Sequence, residues 1–219
     1  MAFDSEEYLK TWRETGRFPK IHDEIADLVA QTYTTKPDEA ILDFCGSIGI
    51  LGQRIQDENK LRVVGAEWLQ KSIDSGVAGG VTVRTKQIRV LPTDDSLAEF
   101  AAYISEENVS GIAARRCLSD VFGGTTEEKP WDEPDYDFAT QWCAAVVDAG
   151  VREMWVQGRA WSPLATHPLP HTNSEIACLG THFTVDERTK NCAYLKARPE
   201  PITLTHEQRR AIHDGVIQP

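Results

Sequence analysis

Apolar residues along the chain follow two rhythms, one spaced for a helix and one for a buried strand. Residues 21–33, "IHDEIADLVAQTY", bring Ile21, Ile25, Leu28, Val29 and Tyr33 onto one helical face. The run "AILDFC" then predicts a buried strand. A turn with Gly46, Gly49 and Gly52 follows, and a helix from about Ile50 to Asp57. "LRVVGAEW" predicts a second strand ending at Glu67, and "LQKSIDSGV" a short helix closed by Gly76. "VTVRTKQIRV" alternates at period two and is dense in β-branched residues, as a third strand requires.

"SLAEFAAYISEEN" carries Ser96 and Glu99 three apart, the pattern of a capping box at a helix start. "SGIAARRCL" predicts a fourth strand, "GGTTEEKPWDEPD" a loop, and "YDFATQWCAAVVDAG" a helix stopped at Gly150. "VREMWVQG" is a fifth strand. "SEIACLGTHFTVDERTKNCAYLKA" predicts two strands joined at "DERTKN", and "LTHEQRRAIHDGV" a final helix. Strand and helix alternate through five strands before a hairpin. The expected fold is therefore α/β, a doubly wound, mainly parallel sheet with a C-terminal antiparallel hairpin. No repeat or linker divides it, so the chain reads as a single domain, with 1–35 a helical segment and 36–219 the core.

Composition narrows the partners only mildly. The 219 residues carry a formal net charge of −11, which disfavours non-specific nucleic-acid binding driven by counterion release. The five cysteines are scattered and odd in number, predicting reduced thiols and a cytoplasmic location rather than a disulfide framework. No apolar run approaches the ~20 residues of a membrane span, and the charged N-terminus lacks a secretory pattern. No membrane partner is expected. Small-molecule, protein and nucleic-acid partners all stay open.

The chemistry gathers at "ILDFCGSIGILG". A Walker loop would need Gly-Lys-Ser or Gly-Lys-Thr after these glycines, and neither is there. A dinucleotide fingerprint would be G-x-G-x-x-G, whereas the spacing here is G-x-x-G-x-x-G, with Asp43 just ahead of it. A carboxylate there suits a ligand that carries an amino group. The stretch resembles the first motif of class I S-adenosylmethionine-dependent methyltransferases, and "VVGAEW" resembles their second, 24 residues further on at Glu67. The resemblance implies a Rossmann-like core and S-adenosylmethionine as cofactor. Asp43, Gly46, Ser47 and Gly49 would hold its methionine part, Glu67 its ribose hydroxyls and Trp68 its adenine. Methyl transfer to an oxygen or nitrogen nucleophile follows from the same likeness. Ser47 and Ile48 interrupt the family's alternating glycines, and Cys45 and Ile48 add bulk to the loop. The fourth strand carries neither the N-P-P-Y-type motif of amino-group methylases nor the Pro-Cys of base-carbon methylases.

On the acceptor side, "AARRCLSD" offers Arg116 for an anionic substrate group and Asp120 as an orienting or proton-accepting group. Arg115 and Arg116 are expected on opposite faces of their strand. His167 and His171, after the fifth strand, are candidate general bases. A zinc site of these histidines with Cys178 and Cys192 is not expected, because the cysteines fall in apolar strand patterns. Two other classes fit the same residues: a nicotinamide-dependent oxidoreductase whose ribose is held by Glu67, and a non-catalytic cofactor- or partner-binding module.

Overall fold

The computed structural model describes residues 5–123, 134–158 and 172–217. Helix α1 (Ser5–Thr15) and a 3₁₀ turn at Lys20–His22 lead into α2 (Asp23–Thr32). The core then runs β1 (Ala40–Phe44), α3 (Ile50–Asn59), β2 (Val63–Glu67), α4 (Gln70–Ala78), β3 (Arg84–Gln87), α5 (Asp94–Glu106) and β4 (Val109–Arg115). After β4 come α6 (Leu118–Gly123), α7 (Tyr136–Asp148), β5 (Glu153–Gln157), α8 (Asn173–Leu179), β6 (Phe183–Arg188), β7 (Cys192–Ala197) and α9 (His206–His213).

Seven strands form one sheet in the order β3-β2-β1-β4-β5-β7-β6. The first five in that order pair in parallel, and β7 runs antiparallel to both β5 and β6. Winding proceeds outward from β1 to β3 on one side and from β4 to β5 on the other. The β1/β4 seam is thus the switch point, where α/β sheets open a crevice beyond the strands' carboxyl ends. β1, β2 and β5 are buried at every position, which is why each reads as an almost unbroken apolar run.

Strand alternation sorts the core into two clusters. Leu42, Phe44 and Ile112 face one layer with Phe100 and Trp142; Ile41, Ala113 and Trp155 face the other with Ile25 and Val29 of α2. The same parity places Asp43, Glu67, Arg115 and Gln157 on the α2 face, at its carboxyl edge.

Several local expectations change. "SEIACLG" forms helix α8 rather than a strand, so Cys178 is helical. Every residue of α8 is buried, among α6, α7 and α9, so no polar face reveals its period. α4 continues through Gly76, which is glycine because a Cβ there would meet the Ile48 carbonyl oxygen at 2.3 Å. α5 is capped by Thr93, whose hydroxyl accepts from the Ser96 N–H, and the reciprocal capping box occurs instead at α9, between Thr205 and Gln208. β3 is shorter than its alternating sequence, and α6 is an additional short helix.

The N-terminal helices are fastened by side chains. Leu9 of α1 is buried against Gly79, and Arg13 donates to the carbonyls of Ala78 and Gly79, orphan acceptors at the end of α4. In α2, Glu24 accepts from the Thr189 hydroxyl and from the Asn191 backbone (2.8 Å) and side-chain (2.6 Å) amides in the β6–β7 turn. Arg54 of α3 pairs with Asp23 and Asp27 of α2. Just after α2, the Glu153 carboxylate of β5 accepts from the hydroxyls of Thr34 (2.9 Å), Thr35 (2.9 Å) and Tyr194 (3.0 Å). Burial first, then the Glu153 charge, pushes the Tyr194 hydroxyl well above its ordinary pKa. Replacing this carboxylate strands two buried hydroxyls. Glu153→Ala should destabilise the fold by about 2–3 kcal/mol in urea melts, with Glu153→Gln closer to wild type.

Candidate functional site

The site is built on the carboxyl ends of β1, β2, β4 and β5. Asp43, the fourth residue of β1, points into the α2 face beneath the loop that follows it, and is 1% exposed. Its Oδ2 accepts the N–H of Gly52, at the start of α3, at 2.8 Å. The carboxyl lies so close to the loop that a Cβ on Gly46 would sit 2.4 Å from Oδ2, and one on Gly52 2.9 Å from it. Two of the three glycines are therefore present to make room for this acid. Burial pushes its pKa up to about 7; the Gly52 N–H opposes the rise, the Glu67 charge adds to it and Arg115 opposes it.

The third glycine has a different task. Gly49 has φ +79 and turns the chain into α3. Cys45 and Ser47 also hold left-handed backbone, each at φ 54, so alternate positions 45, 47 and 49 are the ones of positive φ. Non-glycine residues in this conformation carry strain, and two of them in one loop mark a turn held by its surroundings. Ile48 does not obstruct the loop's outer side: its side chain is 4% exposed and packed in the α2-face cluster. Cys45 is half-buried against the opposite cluster.

Glu67 ends β2 on the same face as Asp43 and is 4% exposed. One oxygen accepts the Ser47 N–H at 2.8 Å; the other accepts those of Trp68 and Leu69, each at 3.0 Å. This carboxylate thus ties the glycine loop to the turn before α4. Beside it, Trp68 is 50% exposed with the Arg89 guanidinium over its ring, a large aromatic face left open to solvent. Gln87 donates to the Trp68 carbonyl from the end of β3, while Asp94 and Asp95 occupy the first turn of α5.

Arg115 ends β4, and Arg116 has φ 59 with its N–H donating to the Gln157 carbonyl at 2.6 Å. That left-handed residue breaks the strand geometry immediately after Arg115. Both arginines act on His22 and on Cys192, which lie on the α2 side. His22 is 5% exposed and its pKa is lowered to about 3, by burial first and then by Arg115, Arg54 and Arg116. Among the described residues its Nδ1 has no hydrogen-bond partner, nor has the buried Oε1 of Gln157. Gln157 pairs in register with Arg115 on one side and Cys192 on the other. From Glu67 across to Gln157, the sheet edge thus passes from carboxyl groups to guanidinium groups.

Of the residues singled out from sequence, Asp43, Gly46, Ser47, Gly49, Glu67 and Trp68 come together around one loop, and Arg116 stands at the adjoining strand end. Asp120 belongs to α6, but its side chain lies outside the described residues, as do His167 and His171 altogether. Cys117 is buried with its Sγ toward the Phe44 carbonyl at 3.5 Å. Among the described residues no group of three or more His, Cys, Asp or Glu side chains could hold a metal ion. His22 and Gln157 went unnoticed in the sequence. Gln157 could have been found as the polar residue closing an apolar strand next to Arg115; nothing local marks His22.

The buried acid makes a stability prediction. An unfolded chain releases the Asp43 proton near 3.8, whereas the folded chain keeps it to about 7, so the native state binds more protons between these values. Stability should therefore fall as pH rises from about 4 to about 7 and level off above. Asp43→Asn keeps the acceptor for Gly52 and should abolish that slope. In melts it should gain up to ~4 kcal/mol over wild type at pH 8 and almost nothing at pH 4.

No family model matches the chain, and no curated protein does. Solved structures share its architecture at low identity. A TehB-like S-adenosylmethionine-dependent methyltransferase from Corynebacterium glutamicum is 14% identical with a TM-score of 0.50, over 89% of this chain and 98% of its own. TrmN from Thermus thermophilus is 11% identical with a TM-score of 0.50, over 89% of this chain and 53% of its own. The bifunctional kinase-methyltransferase WbdD is 12% identical with a TM-score of 0.54, over 86% of this chain. The chain spans 41% of WbdD's length. Among the described residues no helix is long and apolar enough to cross a membrane. The chain has the Rossmann-like α/β fold of these methyltransferases, with its acids and glycine loop at the switch point of the sheet.

Proposed function

We propose that the chain is an S-adenosylmethionine-dependent methyltransferase acting on an oxygen or nitrogen nucleophile. One observation carries the reading: two carboxyl groups, Asp43 and Glu67, end adjacent strands on one face and bracket a strained, N–H-rich turn at the switch point. The residues fit such a cofactor. A carboxylate offers about four acceptor positions, and the backbone uses three at Glu67, leaving capacity for a ribose hydroxyl. The open Trp68 ring beside it suits an adenine.

When bound, the cofactor supplies an electrophilic sulfonium methyl group. The chain's own contribution is placement. Glu67 and Trp68 would fix the nucleoside end, and the 45–49 turn with Asp43 would receive the amino-acid end. An ammonium group near Asp43 restores the charge that burial suppresses, so the acid ionises as the ligand arrives. Arg116 would meet the acceptor, with Asp120, His167 or His171 taking its proton.

A second reading has its own observation. Glu67 is already engaged by three backbone N–H groups and Asp43 is almost wholly enclosed, as in a module whose acids only brace the loop. Calorimetric titration separates the readings. S-adenosylmethionine and S-adenosylhomocysteine should bind and NAD⁺ should not. Glu67→Gln should weaken both ligands about 10- to 100-fold by removing a charge-assisted contact. Silence from all three ligands would leave the bracing role, and NAD⁺ binding alone would make the chain a redox protein. Affinity for S-adenosylmethionine should also rise from pH 6 to pH 8 as Asp43 ionises through about 7, and lose that rise in Asp43→Asn.

A further inference from the structure

Arg89 is an exposed cation whose only contact is an aromatic face. It lies two residues beyond the end of β3. Among the described residues its guanidinium makes no ion pair and no hydrogen bond, and it stands 5.7 Å from the centroid of the Trp68 ring. Trp68 belongs to neither core cluster and is half exposed. A single exposed tryptophan is ordinary on a surface, and an exposed cation–ring contact contributes little to stability. In the other cation–ring pairs among the described residues the ring is enclosed: Tyr103 under Lys86 and Tyr194 under Lys196 are buried, and Tyr136 under Arg209 is half-buried. Only over Trp68 is there open space on the ring for a second flat group.

The backbone beneath this pair is firmly held. Gln87 donates to the Trp68 carbonyl at 3.1 Å, the Ile88 N–H to the Glu67 carbonyl at 2.9 Å, and the Trp68 N–H to the Glu67 carboxylate at 3.0 Å. Ile88 is buried, and the Ser96 hydroxyl donates to the Arg89 carbonyl at 2.9 Å, tying that residue to α5. The main chain of both residues is therefore fixed on two adjoining strand ends, while both side chains reach solvent.

The spacing suits a third layer. A flat base in contact with a ring on one side and a guanidinium on the other needs about 3.5 Å on each side, so the Arg89 head has to retreat from the ring by only about 1 Å. It has no hydrogen bond to break, and a planar guanidinium stacks on aromatic faces.

We propose that Trp68 and Arg89 are the two jaws of an adenine clamp, with the base held between indole and guanidinium. The clamp stands one residue past Glu67, the acid assigned to the ribose, and makes Arg89 a cofactor-binding residue of this chain. This assignment rests on the methyltransferase reading and deepens its cofactor site.

The test is calorimetry on the full chain with S-adenosylhomocysteine. Arg89→Ala should weaken binding about three- to tenfold, and Arg89→Lys should recover part of the loss, because an ammonium keeps the charge but not the flat stacking surface. Trp68→Leu leaves an apolar seat for the base but no ring for Arg89 to orient. In that background Arg89→Ala should still cost about twofold or more, since a direct contact survives the loss of the ring. Both side chains lie outside the core, so thermal melts of the variants should stay close to wild type. Arg89→Ala binding within about twofold of wild type overturns the clamp and leaves the cofactor reading standing. A cost that vanishes in Trp68→Leu overturns the direct contact and reduces Arg89 to orienting the indole. No binding by the wild-type chain overturns the cofactor reading, and the clamp with it.

Discussion

A carboxyl group buried under a turn is the constraint around which this site is organised. Asp43 sits in the most enclosed part of β1, where water cannot solvate its charge. The loop above can close over it only because residues 46 and 52 lack side chains, and α3 can begin there because the Gly52 N–H points at the acid. Such an acid ionises only as the pH passes through about 7, and a nearby positive charge would bring that change to lower pH. The fold thus stores an unmet electrostatic demand at the point where parallel α/β sheets bind ligands.

The remainder of the strand edge answers that demand in sequence. Glu67 raises the cost of ionising Asp43 while fastening the same loop through the Ser47 N–H; Arg115, on the other side, lowers it. One carboxylate therefore acts as latch and as electrostatic neighbour. Beyond Arg115, burial first and then the charges of Arg115, Arg54 and Arg116 keep the enclosed His22 neutral.

Helix α2 makes this geometry possible from outside the sheet. Glu24 ties it to the β6–β7 turn, Arg54 ties it to α3, and the threonines after its end reach Glu153 on β5. The ion pairs among these reach partly exposed acids on α2 and contribute modest stability individually. Their collective effect is positional: they fix the helix that directly follows the turn carrying the buried His22.

Local sequence determined the parts whose chemistry is self-contained. β1, β2, β4 and β5 were legible because strands covered on both faces must be apolar, and the acids at 43 and 67 stood out because they interrupt such runs. α8 was not legible, since a short segment enclosed on all sides shows no period and its apolar run resembles a strand. The roles of the glycines could not be read either. The sequence placed them at 46, 49 and 52, while the left-handed backbone falls at 45, 47 and 49, because the close approach of Asp43 dictates that 46 and 52 lose their side chains. The left-handed turn that ends β4 at Arg116, and the enclosure of His22 and Gln157, depend on a strand end and a distant helix that local sequence does not reveal. Those are long-range facts. The sequence determined which chemical groups the strand ends would carry; only the tertiary structure decided which of them face one another and which are left without water.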